Sequence, residues 1–238
     1  MKILAIETAT AASSVALGED GSVRASSVQV DRRGHIGFLV PAIEFNFGRL
    51  GWTAGDIDLV AVDVGPGMFS GIRAGIATAQ GIAAAVGVPV VAVSSLTLLG
   101  MRAATDHRRI WSIVDVRRGE VAAAAFLPVP GGVVRDSASE IVSPEELKGM
   151  IDSDGSDSLV VGDVDALPDG FFSGLRRSKR GRPRYPSADV IIEYATMAAA
   201  REDFTAPEQV QPLYMREPDV RINWAEFREE GIWPEAAT

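Results

Sequence analysis

Short apolar strands alternating with amphipathic helices make this chain an α/β protein, and a faint internal repeat divides it into two related halves. The repeat is a strand closed by an acid, a tight turn and a returning strand, once at Glu7 and again at Asp115. With 47% hydrophobic residues in 238, the chain can bury a substantial core. Two related halves are expected to face each other across a cleft.

Residues 3–6 read as a buried strand ended by Glu7-Thr8-Ala9-Thr10, residues 14–17 as its hairpin partner, and Glu19-Asp20-Gly21 as the turn into a third strand over 23–30. From His35 to Leu50 the period becomes helical. Ile36, Leu39, Val40, Ile43, Phe47 and Leu50 are assigned to the core face, and Phe38, Ala42 and Phe45 lie opposite. Pro41 predicts that the regular helix starts near Val40 or kinks there. Two aromatic rings on the outer face predict contact with another helix or subunit.

The next strand, 59–64, runs into GPGMFSGIR, a turn from Gly65 that opens a helix reaching Val86. Ile72, Ile76, Ala79, Ala83 and Val86 fall on one side of it, and Ala74, Ala77, Thr78, Gly81 and Ala85 on the other. Arg73 is the only charge between Gly71 and Gly87. A helix without a solvated face is covered on both sides, either within its own fold or by a subunit as well. A glycine-rich turn before a helix can cradle phosphate, but this one has neither the Lys-Ser/Thr of a Walker A loop nor GxGxxG spacing. A tight turn with close backbone packing accounts for Gly65, Gly67 and Gly71 without a ligand.

A strand over 88–93 and a helix beginning at Ser94-Ser95-Leu96 and ending before His107 close the first half. The second half opens with a strand over 110–114, Asp115, a polar turn over 116–120 and a strand over 121–126. A loop over 128–132 and a strand at Ile141-Val142 follow. Ser143-Pro144-Glu145-Glu146 is a capping box starting a helix to about residue 151. A strand over 159–161 and a helix from Ser187 to about Arg201 complete the half. Between these last two, six cations lie within residues 176–184. No aromatic side chain is interleaved to stack on bases, so a solvated, mobile loop is expected in preference to a phosphate-backbone contact. The tail from Ala206, with Pro207, Pro212, Pro218, Pro234, Trp224 and Trp233, is expected to be extended and to dock by its aromatic residues.

Composition excludes several classes of chemistry. A net charge of −9 and a pI near 4.8 argue against gripping nucleic acid by overall electrostatics, so any RNA contact is expected to need a partner. Without cysteine there is no disulfide, thiolate zinc site or cysteine nucleophile. The apolar run at the N-terminus is too short for a signal peptide or membrane span, which predicts a cytoplasmic protein. The two histidines, His35 and His107, have no third ligand at helical spacing, and GxSxG is absent, so no metal or serine-hydrolase site is expected. Glu7 and Asp115 are the acids placed like active-site carboxylates. In a nucleotide-using enzyme they would hold Mg²⁺ or its waters; otherwise they bond backbone N–H groups in their own turns.

These stretches together resemble one family. Residues 3–10, ILAIETAT, followed by Ser14-Val15-Ala16-Leu17, resemble the opening of the TsaB (YeaZ) proteins, ILAIDTST and a Ser-Val-Ala-Leu strand. GPGMFSGIR resembles their GPGSFTGLR, Ser94-Ser95-Leu96 their SSL, and DVRRGEV from Asp115 to Val121 their DARRGEVY. His35 with Leu39, Pro41 and Ile43 is similar to the family's histidine-to-LLP helix. Glu7 departs from the usual Asp, Met68 and Ser70 from Ser and Thr, and Ala122 from Tyr, which weakens any claim to phosphate chemistry.

The resemblance implies an actin-like/Hsp70-like (ASKHA) fold, a duplicated ribonuclease H-like unit forming two subdomains with mixed sheets. Their expected spans are 1–106 and 107–205, with a tail over 206–238. It implies a part in making threonylcarbamoyladenosine in tRNA, as a scaffold without catalytic residues, cofactor or metal. The expected partners are a TsaD-like transferase and a TsaE-like ATPase, with a homodimer through the same helices as a further form and tRNA bound mainly through the complex. The partner surface is expected at His35, Phe38, Ala42 and Phe45 and at Arg73, Ala74, Ala77, Thr78, Gly81 and Ala85. Gly65, Pro66, Gly67 and Gly71 form a structural loop, and Glu7, Asp115 and Arg118 line a vestigial nucleotide cleft. The alternatives are an independent ATP-dependent kinase or phosphotransferase of the same fold, or an RNA-binding module acting through residues 176–184.

Overall fold

The computed structural model describes residues 1–104 and 107–216. The expected boundary at 106 and the tail tryptophans Trp224 and Trp233 lie outside them. The first five strands are β1 (Lys2–Glu7), β2 (Ala12–Glu19), β3 (Ser22–Val30), β4 (Leu59–Asp63) and β5 (Val90–Val93). Helix α1 (His35–Leu50) follows β3, α2 (Phe69–Val86) joins β4 to β5, and α3 (Ser95–Ala103) follows β5. The remaining strands are β6 (Arg109–Asp115), β7 (Val121–Val129), β8 (Gly132–Arg135), β9 (Glu140–Val142), β10 (Ser158–Gly162) and β11 (Ser178–Arg180). Helix α4 (Pro144–Asp154) precedes β10, and α5 (Ala188–Ala199) follows β11.

The strands form two sheets of one topology, β3-β2-β1-β4-β5 and β8-β7-β6-β10-β11, with β9 also pairing β7. In each, the first strand of the half pairs antiparallel with its hairpin partner and parallel with the later strand, Ile6 opposite Val62 in one and Ile113 opposite Gly162 in the other. The fold is thus a duplicated ribonuclease H-like unit, the actin-like/Hsp70-like architecture. The central strands are apolar on both faces because both faces are covered. Leu4 and Ile6 pack toward α1 and α2, whereas Ile3 and Ala5 pack toward α5.

The halves exchange helices. Although α3 follows the first sheet in sequence, Leu96, Leu99 and Ala103 bury against Ile110, Val114 and Phe126 of the second. Helix α5 lies within the span expected for the second subdomain, yet Ala188, Ile191, Ile192 and Ala195 cover the first sheet. It sits so close that a Cβ on Gly18 would lie 2.5 Å from Ile192 Cγ2. Continuity of sequence therefore does not mark the packing boundary.

Three local expectations change. Helix α1 is continuous from His35 through Pro41 to Leu50 rather than starting at Val40; the bond lost at Pro41 would have gone to the carbonyl of Gly37, and both residues are exposed to water. Residues 128–132 are not a plain loop: β7 reaches Val129 and turns at Gly131, with φ 83°, into β8. The cationic run contains β11, an edge strand parallel to β10. Arg180 and Arg184 pair with Asp165, and Arg177 with Asp157 and the carbonyl of Gly155, so three of its cations are met within the described residues.

Candidate partner surface and interdomain cleft

Helices α1 and α2 lie side by side on one face of the first sheet. Alanine and glycine dominate α2 because its inner row, Gly71, Ile72, Gly75, Ile76, Ala79 and Ala83, approaches the sheet closely. A Cβ on Gly75 would lie 2.4 Å from Thr8 Oγ1, and one on Gly71 2.0 Å from the carbonyl oxygen of Thr8. The outer row exposes Arg73, Ala77, Gly81 and Ala85, while Ala74 and Thr78 are half-buried.

The orientation of α1 departs from expectation. His35 and Ala42, assigned to the partner surface, are buried, and Phe38 is half-buried against the first core; a partner cannot reach the first two. Ile36 and Val40, assigned to the core, are 76% and 52% exposed, beside Phe45 at 62%. Polar anchors decide the rotation. Asn46 donates to the carbonyl of Val15 at 3.2 Å and accepts from Ser27 Oγ at 2.9 Å. His35 Nδ1 lies 3.1 Å from Ser13 Oγ. An apolar pattern that runs nearly all round a helix cannot select its inner face, so these buried hydrogen bonds do.

Where the strand ends meet, a cleft of about 660 Å³ opens between the halves. The first half contributes Ala9, Thr10 and Ala11 after β1 and the Pro66–Phe69 turn, and the second contributes Asp115, Arg118 and Asp163. Gly67 lies against the β1–β2 turn so tightly that a Cβ would come 1.9 Å from the carbonyl oxygen of Ala9, which itself accepts from the N–H of Met68 at 2.6 Å. Gly65 has φ 101°, a conformation that side chains disfavour.

The two expected carboxylates are not equivalent. Asp115 lines the cleft and accepts from the N–H of Arg117 at 2.8 Å. Glu7 is 0% exposed; it accepts from the N–H of Ala9 at 2.9 Å and from Ser14 Oγ, and lies outside the cleft lining. The expectation that Glu7 and Asp115 face one another across the cleft therefore fails: Glu7 is consumed by its own turn.

Beside Glu7 sits Asp63, also buried, accepting from the N–H of Gly65 and from Ser95 Oγ, each at 2.8 Å. Burial pushes the Asp63 carboxyl up to about 7. Burial first, and then the charge of Asp63, raises Glu7 well above the usual carboxylate range. Asp163, which accepts from the N–H of Asp115 at 2.9 Å, is raised by burial too. Asp63 and Asp163 escaped the sequence reading, although Asp63 closes β4 as Glu7 closes β1. The cleft lining also includes Arg32, Arg33 and Arg216, and the buried Thr10 hydroxyl there has no hydrogen-bond partner among the described residues.

The tail crosses the mouth of this cleft. Gln80 Nε2 donates to the carbonyls of Pro207 and Val210, and the N–H of Leu213 donates to the carbonyl of Val64 at 2.7 Å. Tyr214 stacks on Phe69 with centroids 5.1 Å apart, and Arg216 pairs with Glu120. No helix among the described residues is long and apolar enough to cross a membrane.

Comparison with known proteins agrees with this architecture. The family described as TsaD, tRNA N6-adenosine threonylcarbamoyltransferase, matches residues 25–156. The tRNA threonylcarbamoyladenosine biosynthesis protein TsaB of Escherichia coli K12 is 32% identical over 221 residues, covering 91% of this chain and 95% of the relative. TsaB of Haemophilus influenzae is 25% identical over 91% of this chain and 94% of its own length. The structure of YeaZ from Pseudomonas aeruginosa superposes with a TM-score of 0.76 at 28% identity, over 90% of this chain and 99% of the other. Near end-to-end similarity in sequence, together with the shared fold, places the chain in the TsaB (YeaZ) family of tRNA threonylcarbamoyladenosine biosynthesis proteins.

Proposed function

We propose that this chain is a non-catalytic subunit that pairs, through the outer faces of α1 and α2, with a TsaD-type transferase and holds it in its working state. The observation that carries this reading is the surface itself: Ile36, Val40 and Phe45 stand exposed on α1 beside the exposed row Ala77, Gly81 and Ala85 of α2. Large apolar side chains next to a smooth alanine and glycine row suit helix-on-helix packing, since small residues let backbones approach. Each Å² of apolar surface covered contributes on the order of 25 cal/mol before the entropy of association is subtracted.

The partner surface is therefore Ile36, Val40 and Phe45 with Arg73, Ala74, Ala77, Thr78, Gly81 and Ala85. The same face would serve a homodimer when no transferase is present. A TsaE-type ATPase and tRNA meet the complex elsewhere, in the cytoplasm. The kinase alternative loses support because one of its two carboxylates, Glu7, is buried in its own turn.

Quantifying threonylcarbamoyladenosine in tRNA from cells depleted of the protein tests the reading. The nucleoside is expected to fall, to return with the wild-type chain and not to return with Gly81→Arg. A Cβ at Gly81 meets nothing within 4 Å, so the new side chain enters open space and leaves the monomer folded. An unchanged nucleoside level on depletion would overturn the assignment.

A further inference from the structure

Arg73 is the one charge on the outer row of α2, and its side chain is held by two aromatic rings rather than by an acid. The guanidinium carbon lies 3.7 Å from the centroid of Phe69, and Nε donates to the hydroxyl of Tyr214 at 2.7 Å. Its Nη groups have no hydrogen-bond partner among the described residues. Tyr214 is fixed in turn, by its stack on Phe69 and by the tail on either side of it, Leu213 bonded to Val64 and Arg216 to Glu120. Met215 packs into the core of the second half. The tail thus acts as a strap spanning both halves, with the arginine clamp at its centre.

Resting on the pairing reading above, we infer that Arg73 is the anchor by which this face takes a carboxylate of its partner, and that Tyr214 is the positioning residue that presents it. A cation covered by an apolar interface without an anion would be costly, so the occupant must bring one. With Nε engaged by Tyr214, the two Nη groups remain for an end-on, two-point contact, the geometry that a carboxylate matches. The neighbouring outer positions Ala77, Gly81 and Ala85 carry no acid and the one exposed acid of α1 is Glu44, so the carboxylate is assigned to the transferase. An Arg73→Leu chain that loses self-association but keeps transferase binding would assign it instead to Glu44 of a second copy and refute the anchor.

The test is the affinity of the full chain for the purified transferase at low and high salt, for wild type, Arg73→Leu, Arg73→Lys, Tyr214→Phe and Tyr214→Ala. Arg73→Leu is expected to weaken pairing by about tenfold or more and to flatten its salt dependence, as removal of a close interfacial charge pair does. Arg73→Lys should not restore it, because an ammonium cannot make the two-point contact. Tyr214→Phe keeps the stack and removes only the hydrogen bond. It should weaken pairing by about threefold, the low end of what a typical single hydrogen bond contributes, because the bond orients the arginine without touching the partner, with unchanged melting temperature. Tyr214→Ala should weaken it further and speed amide exchange over 66–73. If the wild type pairs and Arg73→Leu pairs equally well with the same salt dependence, the anchor is refuted while the pairing surface stands. If Tyr214→Phe matches wild type, the positioning role is refuted. A wild type that binds only a second copy of itself, or nothing, overturns both this inference and the reading beneath it.

Discussion

The two halves share a sheet order but differ in what covers the outer face. In the first, the chain between β4 and β5 forms α2, eighteen residues that leave the small apolar row Ala77, Gly81 and Ala85 exposed. In the second, the equivalent stretch between β10 and β11 forms no long helix. Val164, Leu167, Phe171 and Leu175 turn inward with Leu147 and Ile151 of α4 and close the core from within. One half covers itself and the other presents helices. The same topology can therefore close its core from within or leave an apolar helix row exposed, according to a single crossover connection.

Matched substitutions sharpen this contrast. Gly81 on α2 and Gly149 on α4 are both exposed helical glycines around which a Cβ meets nothing within 4 Å. Gly81→Arg is expected to weaken pairing with the transferase at least a hundredfold, about 2.7 kcal/mol, and Gly149→Arg to leave it unchanged, as read by titration calorimetry. Equal losses would break the distinction between the halves.

A second comparison probes where the halves are alike. Ile192→Ala on α5 and Leu99→Ala on α3 each empty a fully buried site in the other half's core. Each should cost about 2–5 kcal/mol in denaturant unfolding. Because the helices are exchanged, unfolding should remain a single transition in both variants; two separated transitions would show that the exchange does not couple the halves.

A third comparison concerns the buried acids. Asp63 holds its proton in the folded state from its ordinary value of 3.8 up to about 7, whereas the unfolded chain has lost it. The folded state thus binds more protons in that window, so this group makes stability fall as pH rises through it and adds no slope above it. Asp63→Asn should flatten the decline in melting temperature between those limits. A stability that rises through the same window in the wild type, and is unaltered in the variant, would contradict the assignment.

The strands and α2 were legible because their patterns allow one solution. Apolar runs such as residues 3–6 and 59–62, too short for a helix and bounded by turn residues, read as buried strands, and the inner row Ile72, Ile76, Ala79 and Ala83 was legible from its period. The span of helix α1 and the core positions Leu39 and Ile43 were legible, but the rest of its rotation was not, since apolar residues surround it and that rotation rests on Asn46 and His35, which a hydropathy pattern sends to solvent. The role of Tyr214 was equally hidden, because 141 residues separate it from Arg73.

By itself the sequence determined the α/β class, the duplicated order of elements and the glycine turn at Gly65, since each follows from local periodicity or from the lack of a Cβ. Tertiary structure alone decided the exchange of α3 and α5, the burial of Glu7, the outer face of α1 and the strap over the cleft. These depend on which distant groups can satisfy one another's buried surface and hydrogen bonds, and no local pattern encodes that.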